Sequence, residues 1–166
     1  RVNWCKKRGS NRTVDARSAG TCRWPHGGVN TDAVTVLPYG GAESCKAAED
    51  KLVIAVLRTR DAGVASVQNL MAGDRQVFLA AGEQMTRFGA ACMAETGYSL
   101  DVKELRRKLK GAFLILSGCD ADNAYPAFDE FGRGAMLADE ALQYAPDMDA
   151  AIDAAMADTK KIIQVL

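Results

Sequence analysis

The sequence predicts an all-α fold: an antiparallel bundle of four to five helices over residues 44–166, preceded by an extended, mostly irregular arm over residues 1–43. Three observations carry this expectation. Apolar residues step by three and four through most of the second segment, and helix start and stop signals punctuate it. The first segment shows neither; it holds both tryptophans, two of the four prolines and six glycines.

The arm contains one β-like piece, AVTVL at 33–37, set between Asn30 and Pro38. Trp4 and Trp24 imply that it lies against something, since exposed indole rings usually find a surface to cover. Ser44 opens the first expected helix, which runs to about Met71 with Val53, Val56, Leu57, Val64 and Val67 on one side. Gly63 and the β-branched run at 52–56 weaken it, and a buried strand is the alternative for that run. Asp74 opens the second, with Val77, Ala81, Met85, Phe88 and Cys92 at helical spacing and Gly97 beyond its end.

The strongest expected helix is 101–117, DVKELRRKLKGAFLILS. Asp101 and Glu104 have the spacing of a capping box, Leu100 and Leu105 that of a hydrophobic staple, and Gly118 the place of a C-terminal cap. Val102, Leu105, Leu109, Ala112, Phe113 and Leu116 share one face; Lys103, Arg106, Arg107 and Lys110 form a basic stripe on another. Pro126 opens a fourth helix with Phe128, Phe131, Ala135, Ala138 and Leu142 in phase, weakened by Gly132 and Gly134. Pro146 opens the last. Asp147 and Asp149 stand at its positive end and Lys160 and Lys161 near its negative end, with Met148, Ile152, Met156, Ile163 and Leu166 along one side. The structural alternative is an α/β fold in which 52–57 and 112–116 are buried strands.

Charge is balanced at 21 against 21 but segregated along the chain: +4 over 1–43, +3 over 44–119 and −7 over 120–166. Such a chain does not bind nucleic acid by bulk charge; it suits a charged protein partner or a head-to-tail contact with another copy. No apolar run approaches the roughly 18–20 residues of a membrane span. The chain begins at Arg1 and not at Met, which implies a removed targeting segment or a longer parent chain. That favours an organelle lumen or the extracellular space over the cytoplasm. Five cysteines, Cys5, Cys22, Cys45, Cys92 and Cys119, leave room for a disulfide in the arm, while Cys45 and Cys92 fall on apolar faces as buried thiols.

Several chemistries are excluded. His26 is the only histidine, so Ser–His and Cys–His catalysis and most zinc sites lack their parts. No cysteine pair has zinc-knuckle or dithiol spacing. The acidic stretch from Asp120 fails as a calcium loop, with Tyr125 at the turn-glycine position and Phe131 at the bidentate-glutamate position. Gly132-Arg-Gly134 is no phosphate loop. No catalytic residue, metal ligand or cofactor is therefore expected.

The leading expectation is a non-enzymatic accessory subunit docked on a larger protein assembly. Lys103, Arg106, Arg107 and Lys110 would meet an acidic partner, and the arm with Trp4 and Trp24 would lie along a neighbour. In layout, an arm before a small helical bundle resembles peripheral subunits of large membrane complexes, such as the Q-type lumenal subunits of photosystem II. The alternative is a secreted or lumenal carrier of an apolar ligand or pigment, lined by Met71, Met85, Met93, Met136 and Met156. An enzyme that relies on aspartates is the third reading.

Overall fold

A run such as LVIAVLR, dense in β-branched residues and without polar alternation, suits a strand covered on both faces. In the computed structural model of this chain, residues 32–43, 51–96, 99–118, 121–137, 142 and 144–165 are described. There the run forms strand β2 (Leu52–Arg58), with residues 53–57 all buried. It follows β1 (Ala33–Val36), which ends in a 3₁₀ turn at Pro38–Gly40. After β2 the chain makes an excursion through a short helix α1 (Val64–Val67) and a two-stranded hairpin, β3 (Met71–Ala72) and β4 (Arg75–Gln76). Helix α2 (Val77–Arg87) leads to β5 (Ala91–Glu95), and α3 (Ser99–Lys108) leads to β6 (Leu114–Ser117). The short helix α4 (Ala121–Ala124), the strand β7 (Gly134–Leu137) and the long helix α5 (Met148–Val165) complete the order.

The main sheet is parallel throughout, in the order β1-β2-β5-β6-β7. Each new strand joins the edge made by the last, so the sheet grows in one direction without reversal. That is the winding of a (β/α) barrel, not of a doubly wound sheet, which turns back at a switch point.

The alternation of side chains gives the sheet two buried faces. Val53, Ala55, Leu57, Cys92, Ala94, Leu114 and Leu116 pack outward against Phe78, Leu79 and Met85 of α2 and Val102 and Leu105 of α3. Ile54, Val56, Ala91, Met93 and Ile115 form a second cluster on the opposite face, joined by Ala33, Ala135 and Leu137. No described helix is among the residues of that second cluster. Its branched, close-packed side chains are those of a barrel interior.

The all-α expectation is thereby corrected. Of the first expected helix, 52–58 is strand β2; residues 44–50 lie outside the described residues. The second survives as α2, but Cys92 belongs to β5. The third is cut in two. Gly111, at a φ of 80°, takes the left-handed turn that ends the α3 segment, and 114–117 is strand, so Phe113 and Leu116 do not extend the helix face. The helix also begins two residues early, at Ser99, and Leu100 is 74% exposed and staples nothing. The fourth helix is replaced by a 3₁₀ turn at Tyr125–Ala127 and by β7. The last helix forms as expected. The strand alternative for 52–57 and 112–116 is the arrangement observed, with β6 starting at Leu114. No helix among the described residues is long and apolar enough to cross a membrane.

Cys92 is a free thiol, 1% exposed, in the outer cluster. Burial pushes its thiol up, with the Thr86 hydroxyl 3.7 Å away and Arg106 acting in the other direction. Alkylation at about pH 8 should therefore leave the Cys92 peptide unmodified in the folded protein and label it fully in denaturant. Peptide mass mapping reads the difference. The other four cysteines, Trp4, Trp24 and His26 lie outside the described residues.

Candidate functional site

In parallel α/β sheets the strand C-termini carry the chemistry, because the loops that follow them converge there. In this chain three of the five ends turn polar: Arg58-Thr59-Arg60 at the end of β2, Glu95-Thr96 at β5, and Ser117-Gly118 at β6.

A register shift between Val56 and Arg58 rotates the end of β2. A bulge of this kind re-aims a side chain. Arg58, which strict alternation would place inside, instead faces the helices. Its guanidinium lies 5.2 Å over the Phe78 ring, its Nε is 2.9 Å from Asp101 Oδ2, and it donates to Asn69 Oδ1. Asp101 is thus the partner of Arg58, and it also accepts from the Thr96 hydroxyl at 3.2 Å. Gln68, 7% exposed, accepts from the Thr59 amide at 3.1 Å and donates to the Thr59 hydroxyl at 3.3 Å. Together these bonds tie the excursion after β2 to the sheet and to the first turn of α3. The Tyr39 hydroxyl donates to the Leu57 carbonyl, and burial drives its phenol above its ordinary value against the opposing charge of Arg58.

With Arg58 turned outward, Arg60 takes the place above the inner face. Its amide points to Glu95 Oε2 at 3.4 Å, and its guanidinium reaches across β5 to β6. Gly118, at a φ of 75°, lets it in: a Cβ there would stand 2.8 Å from Arg60 Nη1. Glu95 and the buried Ser117 are register partners on neighbouring strands. The mouth of the sheet therefore brings together an exposed guanidinium, a half-buried carboxylate and a buried hydroxyl. A guanidinium fork matches phosphate or carboxylate oxygens and does not release its proton. Among the described residues the lysines stand elsewhere: Lys51 precedes β2, Lys103 and Lys108 are on α3 with Lys110 just beyond it, and Lys160 and Lys161 are on α5.

Arg106 is not part of a solvent stripe. Its Nε donates to the Ala127 carbonyl at 2.7 Å, Nη1 to Ala112 at 2.9 Å and Nη2 to Arg133 at 2.8 Å. Arg107 pairs with Glu104 at 2.7 Å on the surface, and Lys103 and Lys110 are exposed. The methionines expected to line one ligand cavity are dispersed: Met85 is in the outer cluster, Met93 in the inner one, and Met71 and Met156 are exposed. No group of three or more potential metal ligands occurs among the described residues.

No protein-family profile matches the chain. Over 113 residues it is 28% identical to the orotidine 5'-phosphate decarboxylase of Clostridium novyi (strain NT), spanning 57% of this chain and 39% of that protein. The Leishmania donovani OMP decarboxylase structure superposes with a TM-score of 0.73 at 19% identity, over 89% of this chain and 62% of that one. The orotidine 5'-monophosphate decarboxylase of Plasmodium berghei gives 0.74 at 12% identity, over 92% and 55%. The chain shares the barrel-type α/β fold of these proteins and spans well under half of the curated relative. The expectation of a non-enzymatic accessory subunit is overturned: the proteins it resembles are decarboxylases, which are enzymes.

Sequence reasoning named none of Arg58, Arg60, Glu95, Asp101 as an ion-pair partner, or Ser117 as part of a site. A signal was present. Each buried apolar run, 53–57, 91–94 and 114–116, is followed at once by polar residues, the mark of a strand that ends at a mouth.

Proposed function

We propose that this chain forms part of an orotidine 5'-phosphate decarboxylase-like enzyme and supplies an anion-binding side of its barrel mouth. The carrying observation is a coincidence of two similarities: 28% identity to a curated decarboxylase over 113 residues, and a shared fold over 89% of the chain. The mouth is consistent with it, since orotidine 5'-phosphate is an anion twice over, through its phosphate and its carboxylate. The Arg60 side chain, exposed at the mouth and lying against Gly118, carries a guanidinium of the shape that takes such an anion in two parallel hydrogen bonds.

Loss of carbon dioxide leaves an electron pair on the pyrimidine carbon that must take up a proton. Arginine holds its proton too tightly to give it, and the Tyr39 phenol is engaged on the Leu57 carbonyl. The described residues therefore fit the binding of substrate better than the proton delivery. Calorimetric titration of the chain with uridine 5'-phosphate, alongside loss of orotidine 5'-phosphate absorbance on incubation, tests the reading. Saturable nucleotide binding is expected whether or not turnover is seen. Absence of binding for both nucleotides would sink it.

A further inference from the structure

The residue that presents Arg60 is itself held from the core. Thr59 stands between Arg58, the end of β2, and Arg60. Gln68 is 7% exposed, and a side-chain amide so buried needs partners for its donor and its acceptor alike. One residue supplies both: Oε1 accepts from the Thr59 amide at 3.1 Å, and Nε2 donates to the Thr59 hydroxyl at 3.3 Å. The backbone of Gln68 is fixed in turn. Its amide donates to the Val64 carbonyl at 2.8 Å, and its carbonyl accepts at 3.2 Å from the amide of Phe78, in the first turn of α2. Phe78 is fully buried in the outer cluster. A path of hydrogen bonds therefore runs from the packed layer through Gln68 to the residue before Arg60.

The neighbouring pair repeats the pattern. Arg58 donates to Asn69 Oδ1 as Thr59 bonds Gln68, so residues 58 and 59 meet 69 and 68 side by side and close the neck of the loop 60–67. Beyond Arg60 the loop bonds within itself. The Val64 amide donates to the Asp61 carbonyl at 3.0 Å, and the Ser66 amide and hydroxyl both donate to the Gly63 carbonyl, at 3.1 and 2.7 Å. Those bonds shape the loop but do not set where it stands on the sheet. The Arg60 amide lies 3.4 Å from Glu95 Oε2, at the outer limit of a hydrogen bond.

We propose that Gln68 is a positioning residue for the anion site: by clasping Thr59 it fixes the direction in which Arg60 leaves the sheet before any ligand arrives. The inference rests on the reading of Arg60 as a nucleotide contact. What the clasp provides is preorganisation. An arginine on an unanchored stretch of backbone must be ordered when the anion binds, and that ordering is subtracted from the affinity. A side-chain amide suits the task, since it matches a backbone N–H and a hydroxyl together without adding a charge to the mouth.

Calorimetric titration with uridine 5'-phosphate tests it, on variants that circular dichroism shows to be folded. Gln68→Met keeps the volume, removes both hydrogen bonds and should lower affinity about tenfold. Thr59→Val disturbs the fold less; it removes the hydroxyl bond alone and should lower affinity about threefold, which Thr59→Ser should restore. In the Arg60→Ala background Gln68→Met should cause no further loss, because its effect passes through Arg60. Tryptic cleavage after Arg60, with no nucleotide present, should also quicken in Gln68→Met as the neck of the loop opens. If the unaltered chain binds no uridine 5'-phosphate, the reading of Arg60 falls and takes the proposal with it. If the unaltered chain binds, three results overturn the proposal alone: equal affinity in Gln68→Met, the same loss with Arg60 as without it, or unchanged cleavage.

Discussion

Replacing Arg106 with alanine should cost about 3 kcal/mol of folding stability, lowering the thermal midpoint by roughly 6–12 °C for a chain of this size. Few side chains in the molecule hold so much backbone. The guanidinium leaves α3 and donates to carbonyls at Ala112, before β6, at Ala127, in the 3₁₀ turn, and at Arg133, before β7. It fastens three loops at the N-terminal side of two strands. Burial draws the group down from its ordinary value while Asp129 draws it back up, so it stays charged and its hydrogen bonds are charge-assisted. Alanine removes every donor at once and leaves half-covered carbonyls without partners. Arg106→Lys keeps the charge but offers a single point in place of a planar fork, so it should recover less than half of the loss. Thermal melts of the two variants measure this. If Arg106→Ala melts with the unaltered protein, the staple contributes nothing and water satisfies those carbonyls equally well.

Arg106 also shows why the fold was only partly legible. In the sequence it stands in phase with Lys103, Arg107 and Lys110, and helical phase alone cannot tell a solvated arginine from one that turns back to bind carbonyls. The same ambiguity misled the reading of 101–117. Val102, Leu105 and Leu109 do face the core, but Phe113 and Leu116 continue the three-and-four rhythm beyond the helix, Leu116 from within a strand. A parallel strand buried on both faces shows no period of two, so it cannot be told from a helix by spacing. Gly111 was the decisive residue, ending the helical turn seven positions before the glycine that seemed to do so. The element without that ambiguity, α5 with its charged ends, was read correctly; the β-like stretch at 33–37 is a strand over 33–36, but one paired with β2 in the main sheet and not part of an irregular arm. The site escaped for another reason. Arg60, Glu95 and Gly118 are separated by 35 and 23 residues, and only parallel pairing of β2, β5 and β6 brings them to one mouth. Nothing in their local sequence announces that pairing.

Arg60→Ala should weaken binding of uridine 5'-phosphate by about 10- to 100-fold, the range expected when one charge-assisted, two-pronged contact to a phosphate is lost. The bulge parts Arg58, the last residue of β2, from Arg60, two residues beyond the strand. Arg58 is committed to Asp101, Asn69 and the Phe78 ring, so its removal should act on stability. Arg60 stands at the strand C-termini beside Gly118 and Glu95, where a bound anion would meet it, so its removal should act on affinity. Gly118→Ala provides an independent route to the same loss: its Cβ would stand 2.8 Å from Arg60 Nη1, in a backbone conformation that alanine rarely adopts. Lys103→Ala, on the outer surface of α3, should leave affinity unchanged. Titration calorimetry on folded variants separates the cases. Equal loss in Arg60→Ala and Lys103→Ala would mean that diffuse positive charge, and not the mouth, holds the nucleotide. An unaltered affinity in Arg60→Ala would place the anion elsewhere on the barrel.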